Sequence, residues 1–208
     1  MELAVVDKTG KDTGRKVALS DSVFGIEPSE HTVYLDVKQY LSTKRQGTHK
    51  AKERSEIVGS TKKLKKQKGS GAARYGDIKN PIFRGGGRIF GPRPRYYGFK
   101  LNKKVKEVAR KSVLSSSVKA DKIIVLENLS FDTPKTKDFV AVLQGLKLEG
   151  QRVTLVTENA DSNVYLSSKN IQKIKVVAAA DVNTYDLLNC SKLVLTEGSV
   201  KAIENALS

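Results

Sequence analysis

Cationic and aromatic side chains interleave along one stretch of this chain. Arg74-Tyr75, Phe83-Arg84, Arg88-Ile89-Phe90 and Arg93-Pro94-Arg95-Tyr96-Tyr97 follow in quick succession. A guanidinium fork matches the oxygens of a phosphate, and flat aromatic or guanidinium groups stack on unpaired bases. Together they suit irregular RNA. Readers of duplex DNA bring a groove-filling helix or ribbon instead, and this stretch has the pattern of neither. Just upstream, Lys62-Lys63-Leu64-Lys65-Lys66-Gln67-Lys68 puts five cations in seven residues. A charge run by itself is often merely solvated; the arginine–aromatic pairs beside it argue for a polyanionic ligand. Gly85-Gly86-Gly87 lets the backbone turn sharply or lie against a sugar–phosphate strand. Gly91-Pro92 and Arg93-Pro94 stiffen the path that follows.

Other chemistry finds little support. Nucleotide sites on parallel sheets use a glycine-rich turn from strand to helix. The turns here read Asp7-Lys8-Thr9-Gly10-Lys11-Asp12-Thr13-Gly14, Glu127-Asn128-Leu129 and Thr157-Glu158-Asn159-Ala160-Asp161, without the required glycine spacing. Gly69-Ser70-Gly71 has no strand before it and no Gly-Lys-Ser/Thr after it. Two histidines, His31 and His49, and a single cysteine, Cys190, do not make a zinc ligand set. Cys190 sits among apolar neighbours and reads as a small buried thiol. Asp132 with Asp138, and Glu158 with Asp161, read as helix capping and solvation rather than acid–base pairs. No enzyme, metal or cofactor is expected.

The elements that must carry this chemistry divide by charge. From Lys44 to Lys111 there are 22 Lys and Arg against four acids, Glu53, Glu56, Asp77 and Glu107. The remaining residues hold 16 basic and 18 acidic side chains, so the net charge of +16 resides in one internal third. Ten of the 16 glycines lie there too, and large apolar residues are few between Ile57 and Gly98. Such a segment cannot bury enough apolar surface to offset its chain entropy and self-repulsion. It reads as an extended arm that orders against a polyanion, nucleic acid before an anionic membrane face. No apolar run approaches the roughly 18 residues of a membrane helix, and Met1-Glu2-Leu3-Ala4-Val5-Val6 is no secretory signal. A cytoplasmic protein fits.

Outside the arm, Glu2–Val6 reads as a strand, and Val33, Val37, Tyr40 and Leu41 make a helical stripe after Ser29. Asn102 is a candidate N-cap for a helix with Val105, Val108, Ala109, Ser112 and Val113 on one face. Continuous apolar strands at 122–126, 152–156, 173–178 and 192–196 then alternate with helical stripes. These are Phe139, Val140, Leu143 and Leu146; Val164-Tyr165-Leu166; Tyr185, Leu187 and Leu188; and, from Ser199, Val200, Ile203 and Leu207. This alternation predicts a three-layer α/β domain with a mainly parallel sheet covered on both faces. The expected division is 1–43 with 102–208 as the globular domain and 44–101 as a basic arm inserted between the first and second helices.

The motifs resemble those of a known family, protein four of the bacterial large ribosomal subunit. Arg45-Gln46-Gly47-Thr48-His49, Gln67-Lys68-Gly69-Ser70-Gly71-Ala72-Ala73-Arg74, Pro81-Ile82-Phe83-Arg84-Gly85-Gly86-Gly87 and Phe90-Gly91-Pro92-Arg93-Pro94-Arg95 carry the resemblance in the arm. Leu101-Asn102-Lys103-Lys104-Val105, Asn183-Thr184-Tyr185-Asp186-Leu187-Leu188 and Leu195-Thr196-Glu197-Gly198 carry it elsewhere. The resemblance implies a non-enzymatic constituent of the large subunit, with 23S rRNA and neighbouring ribosomal proteins as partners. It implies an arm threaded through rRNA, whose tip, Gln67 to Arg74, lines the nascent-peptide exit tunnel and faces the nascent peptide. Lys44 to Thr48 would be the root of the arm, and Arg84 to Arg88 with Arg93 to Arg95 its returning strand. With these, His49, Lys50, Lys62, Lys63, Lys65, Lys66, Lys68, Lys79, Lys100, Lys103 and Lys104 complete the expected rRNA contacts. An alternative role, also implied by the family, is an RNA-binding regulator acting on its own operon mRNA leader. Two positions depart from the family pattern: Leu64-Lys65 stand where Pro-Trp is usual, and Ala72 where Arg is usual.

Overall fold

The structure, a computed structural model, describes residues 1–207. Two compact units emerge: Met1–Leu41 with the chain from Lys100 onward, and Ser42–Phe99. The first unit is an α/β domain. Its sheet has six strands in the order β2-β1-β3-β6-β4-β5, comprising β1 (Glu2–Val6), β2 (Asp12–Ala18), β3 (Ile123–Leu126), β4 (Val153–Thr157), β5 (Ile174–Ala178) and β6 (Lys192–Thr196). All neighbours pair in parallel except β1 with β2. Three of the continuous apolar strands foreseen from sequence, β3, β6 and β4, are interior to the sheet, where both faces are covered. The fourth, β5, lies at its edge and is only partly buried.

Alternation along those strands builds the two sides of the core. Ile123, Leu193, Leu195 and Val156 face one cluster, which packs Val23, Phe24, Val113, Leu114, Val200 and Ile203. These come from α1 (Asp21–Phe24), α3 (Lys103–Lys119) and α7 (Glu197–Leu207). Val194, Val153 and Leu155 face the other, with Phe139, Val142 and Leu143 of α4 (Thr136–Gly145) and Val164 of α5 (Ser162–Ser168). Each fully buried Leu, Val or Phe contributes about 1.5–3 kcal/mol relative to exposure.

Several local expectations are revised. The strand β2 was not anticipated: its charged, largely exposed sequence DTGRKVA pairs on one side only, so it carries no apolar run. The four-residue α1 was also unforeseen, so the long insertion falls between the second and third helices, α2 (Glu30–Lys44) and α3. In α2 the stripe is only half-buried and Leu41 is exposed; its one buried residue is Asp36, which accepts a hydrogen bond from the Thr184 hydroxyl. In α3 the buried face runs further along the helix than expected, through Leu114, Ser115 and Ser117, while Val108 is exposed. Asn102 occupies the N-cap without a side-chain bond. The last helix starts at Glu197, directly from β6.

Hydroxyls in α3 satisfy the segment between α1 and α2. Ser115 Oγ accepts from the Ile26 amide at 3.1 Å and donates to the Val23 carbonyl at 3.2 Å. Ser112 Oγ accepts from the Ser29 amide at 3.1 Å and donates to the Val108 carbonyl at 2.7 Å. Both serines are fully buried, where an unpaired backbone amide would be costly.

Candidate nucleic-acid interface

Residues 45–99 contain no helix and no strand. They are nevertheless ordered by sparse backbone pairing between an outgoing and a returning chain. The Arg95 amide donates to Gly47 O at 3.3 Å, the Ala51 amide to Pro92 O at 3.0 Å, and the Arg88 amide to Lys52 O at 2.9 Å. Further out, the Leu64 amide donates to Gly76 O at 3.1 Å and closes a loop over residues 65–75. These widely spaced single bonds do not make a continuous ladder. Polar backbone and cations therefore remain open to solvent.

At the root of this unit the side chains converge on Tyr97. The Arg45 guanidinium lies 4.0 Å from its ring centroid and that of Arg95 lies 4.6 Å away. The Tyr97 hydroxyl shares a hydrogen bond of 2.9 Å with His49 Nε2. Cation–π contacts hold both arginines near one ring. Gly47 makes this possible: its φ is +65°, and a Cβ there would stand 2.1 Å from Arg95 O.

The loop 65–75 contains Gln67 to Arg74, all exposed. Gly69 and Gly71 both adopt positive φ with open space around them. Lys63 Nζ donates to the Gln67 side chain, and Arg74 Nε donates to Gln67 O at 3.3 Å. Lys65 lies 5.6 Å over the Tyr75 ring, which packs on Phe83 at 5.2 Å. Lys62, Lys66, Lys68, Ala72 and Ala73 are exposed around them.

The glycine triplet divides by role. Only Gly85 is open, with φ +83°. Gly86 presses against Asn80 O and Gly87 against the Arg54 amide, so a Cβ would stand 2.0 Å and 2.4 Å from them. Their freedom is used for close approach within the protein's own chain rather than left open for a sugar–phosphate strand. Lys50 is engaged by Glu56, and that hydrogen bond, aided by the Glu53 amide, holds the Glu56 carboxyl below its ordinary value. Arg93 pairs with Glu53. Arg54 Nη2 lies 3.2 Å from the buried Asp77 carboxylate.

Of the cations expected at the interface, all but the half-buried Lys79 are exposed: Lys44, Arg45, Lys50, Lys62, Lys63, Lys65, Lys66, Lys68, Arg74, Arg84, Arg88, Arg93 and Arg95 in this unit, and Lys100, Lys103 and Lys104 at the start of the next. The expected rRNA contacts do not include Arg54, Tyr75, Phe90 or Tyr97, although the arginine–aromatic interleaving singles out the last three.

The α/β unit presents the opposite electrostatics where doubly-wound sheets bind nucleotides, at the carboxyl ends of the strands. Glu127 follows β3, Glu158 follows β4 and Glu197 follows β6. Arg15 bridges Glu127 at 2.8 Å and Glu197 at 3.4 Å. The Glu158 carboxylate occupies the space beside Gly198, where a Cβ would meet it at 2.1 Å. Carboxylates there repel phosphate.

The sequence profile of the family described as "Ribosomal protein L4/L1 family" matches residues 17–206. This chain belongs to that family. The large ribosomal subunit protein uL4 of Christiangramia forsetii is 58% identical over 208 residues, covering all of both chains. Those of Flavobacterium johnsoniae and Cytophaga hutchinsonii are 58% and 57% identical, again over the whole of both chains. Membership of the L4/L1 family thus extends over the α/β unit and the irregular unit alike.

Proposed function

We propose that the protein is a structural constituent of the large ribosomal subunit that binds 23S rRNA through residues 44–101 and through the exposed lysines that open α3. It is a structural component rather than an enzyme. Gln67 to Arg74 form the tip and line a narrow part of the nascent-peptide exit tunnel, where they face the nascent chain. The other partners are neighbouring proteins of the large subunit.

One observation carries the reading. Residues 45–99 have no helix, no strand and almost no buried apolar side chain, yet expose nearly all their cations. Such a unit gains its free energy from a ligand rather than from a core. Guanidinium–aromatic clusters such as Arg45–Tyr97–Arg95 suit phosphates flanking splayed bases, and membership of a ribosomal protein family favours RNA as the polyanion. The Lys65–Tyr75 contact offers an aromatic surface close to where the family usually carries Trp. At position 72 the tip has one cation fewer.

Sucrose-gradient fractionation of a cell lysate at low and high salt tests this. Stoichiometric recovery with the large subunit after a salt wash is expected. Recovery mainly in the soluble fraction would overturn the ribosomal reading and favour a regulator acting on free mRNA.

A further inference from the structure

Phe90 is wholly exposed and holds a left-handed backbone with φ +54°. Side chains rarely adopt that conformation, because Cβ crowds the following carbonyl. The pairing on either side imposes it. Ala51 and Lys52 are adjacent in sequence, yet they bond to Pro92 and Arg88 respectively. Two neighbours on one chain thus hold residues four apart on the other, and Ile89, Phe90 and Gly91 are driven out of line. Gly91 lets the bulge close tightly, since a Cβ there would come 2.5 Å from the Ala51 methyl.

Beside the bulge lies a cleft of about 550 Å³ lined by Glu53, Arg54, Pro81, Arg88, Phe90 and Arg93, among others. That is within the size range of small-ligand sites. Glu53 and Asp77 hold two of its three guanidiniums, those of Arg93 and Arg54. Arg88 is exposed and has no side-chain partner among the described residues. A single exposed apolar residue needs no explanation by itself. An aromatic held out in a strained backbone, beside a cleft ringed by arginines, does.

We propose that this cleft seats one unpaired RNA nucleotide, with its base stacked on the Phe90 ring and its phosphate held by Arg88. The proposal rests on the RNA-binding reading above and deepens it by assigning a single-nucleotide site to a residue that charge alone does not single out. Base stacking on one aromatic tolerates any base, so the seat recognises an extruded nucleotide rather than a sequence.

The chain contains no tryptophan, so Phe90→Trp in the full-length protein places the only indole at the seat. Its emission is followed at low salt against single-stranded oligo(A), a paired RNA of equal length, and heparin, with binding measured separately by anisotropy of labelled ligand. Oligo(A) is expected to quench the indole, while paired RNA and heparin bind without quenching. Phe90→Leu and Phe90→Gly should each weaken oligo(A) binding about 5- to 150-fold and leave heparin binding unchanged. The glycine variant relieves the backbone, so retained oligo(A) affinity there would mean that position 90 matters only for structure and would overturn the proposal. Oligo(A) binding without quenching, or equal quenching by heparin, would overturn it while leaving RNA binding intact. Failure of the wild-type chain to bind any RNA would defeat both readings together.

Discussion

At the scale of single residues, two positions separate function from stability. Gly47 allows the Arg45–Tyr97–Arg95 cluster to form, because any Cβ would strike the Arg95 carbonyl. Left-handed strain costs roughly 1–2 kcal/mol, so Gly47→Ala should weaken RNA binding on the order of tenfold or more. The thermal midpoint of the α/β unit should stay unchanged, as filter binding and circular dichroism would establish. Cys190 is a stability residue. Burial pushes its thiol above the ordinary value, so the native state keeps its proton where the unfolded chain has lost it. Its contribution is complete below about pH 8.5, the ordinary thiol value, and is lost as pH rises through the raised folded value. Urea melts at pH 7 and above pH 9 should show a steeper loss for the wild type than for Cys190→Ala. Equal losses would mean that the thiol ionises alike in both states.

At the scale of elements, α3 is the member with two faces. Its buried side supplies Val113 and Leu114 to the core, and the hydroxyls of Ser112 and Ser115 to the segment between α1 and α2. Its first turn exposes Lys103 and Lys104. Ser115→Ala would leave the Ile26 amide without its partner and should cost about 1–3 kcal/mol in chemical denaturation. Ser116→Ala, on the exposed side of the same helix, should change stability by less than about 0.5 kcal/mol. This division was only partly legible in sequence. The valines announce an apolar face, but a serine-rich run reads as polar until the neighbouring backbone that needs those hydroxyls is in place. For the same reason α2 looked like a core helix although Asp36 is its buried residue: Thr184, its partner, lies far along the chain.

At the scale of the whole molecule, the irregular unit and the α/β unit answer to different forces. The first is held by sparse backbone bonds and charge, so its RNA affinity should be strongly salt-dependent. If it neutralises 6–10 phosphates, affinity should fall roughly 10³–10⁵-fold between 50 and 200 mM salt, measured by filter binding. The second is held by apolar burial, so deleting residues 61–74 should leave its unfolding midpoint unaltered. A large drop in that midpoint would show that the loop contributes to the core. The proposed tunnel role is separable from assembly in the same variant, which should still enter the large subunit while altering the tunnel wall.

Composition and periodicity alone determined that a core-poor, strongly basic segment interrupts an α/β domain, because charge excess and missing apolar residues are local properties of the chain. They also determined the central strands, whose apolar runs have no other stable use. Only the tertiary structure decided which glycines serve the protein itself, since Gly47, Gly86 and Gly87 are constrained by backbone from elsewhere in the chain. It likewise decided that Phe90 stands out of line, because that follows from where Arg88 and Pro92 find their partners. Close approach is a property of pairs of distant residues, and a sequence read along its length carries only one member of each pair at a time.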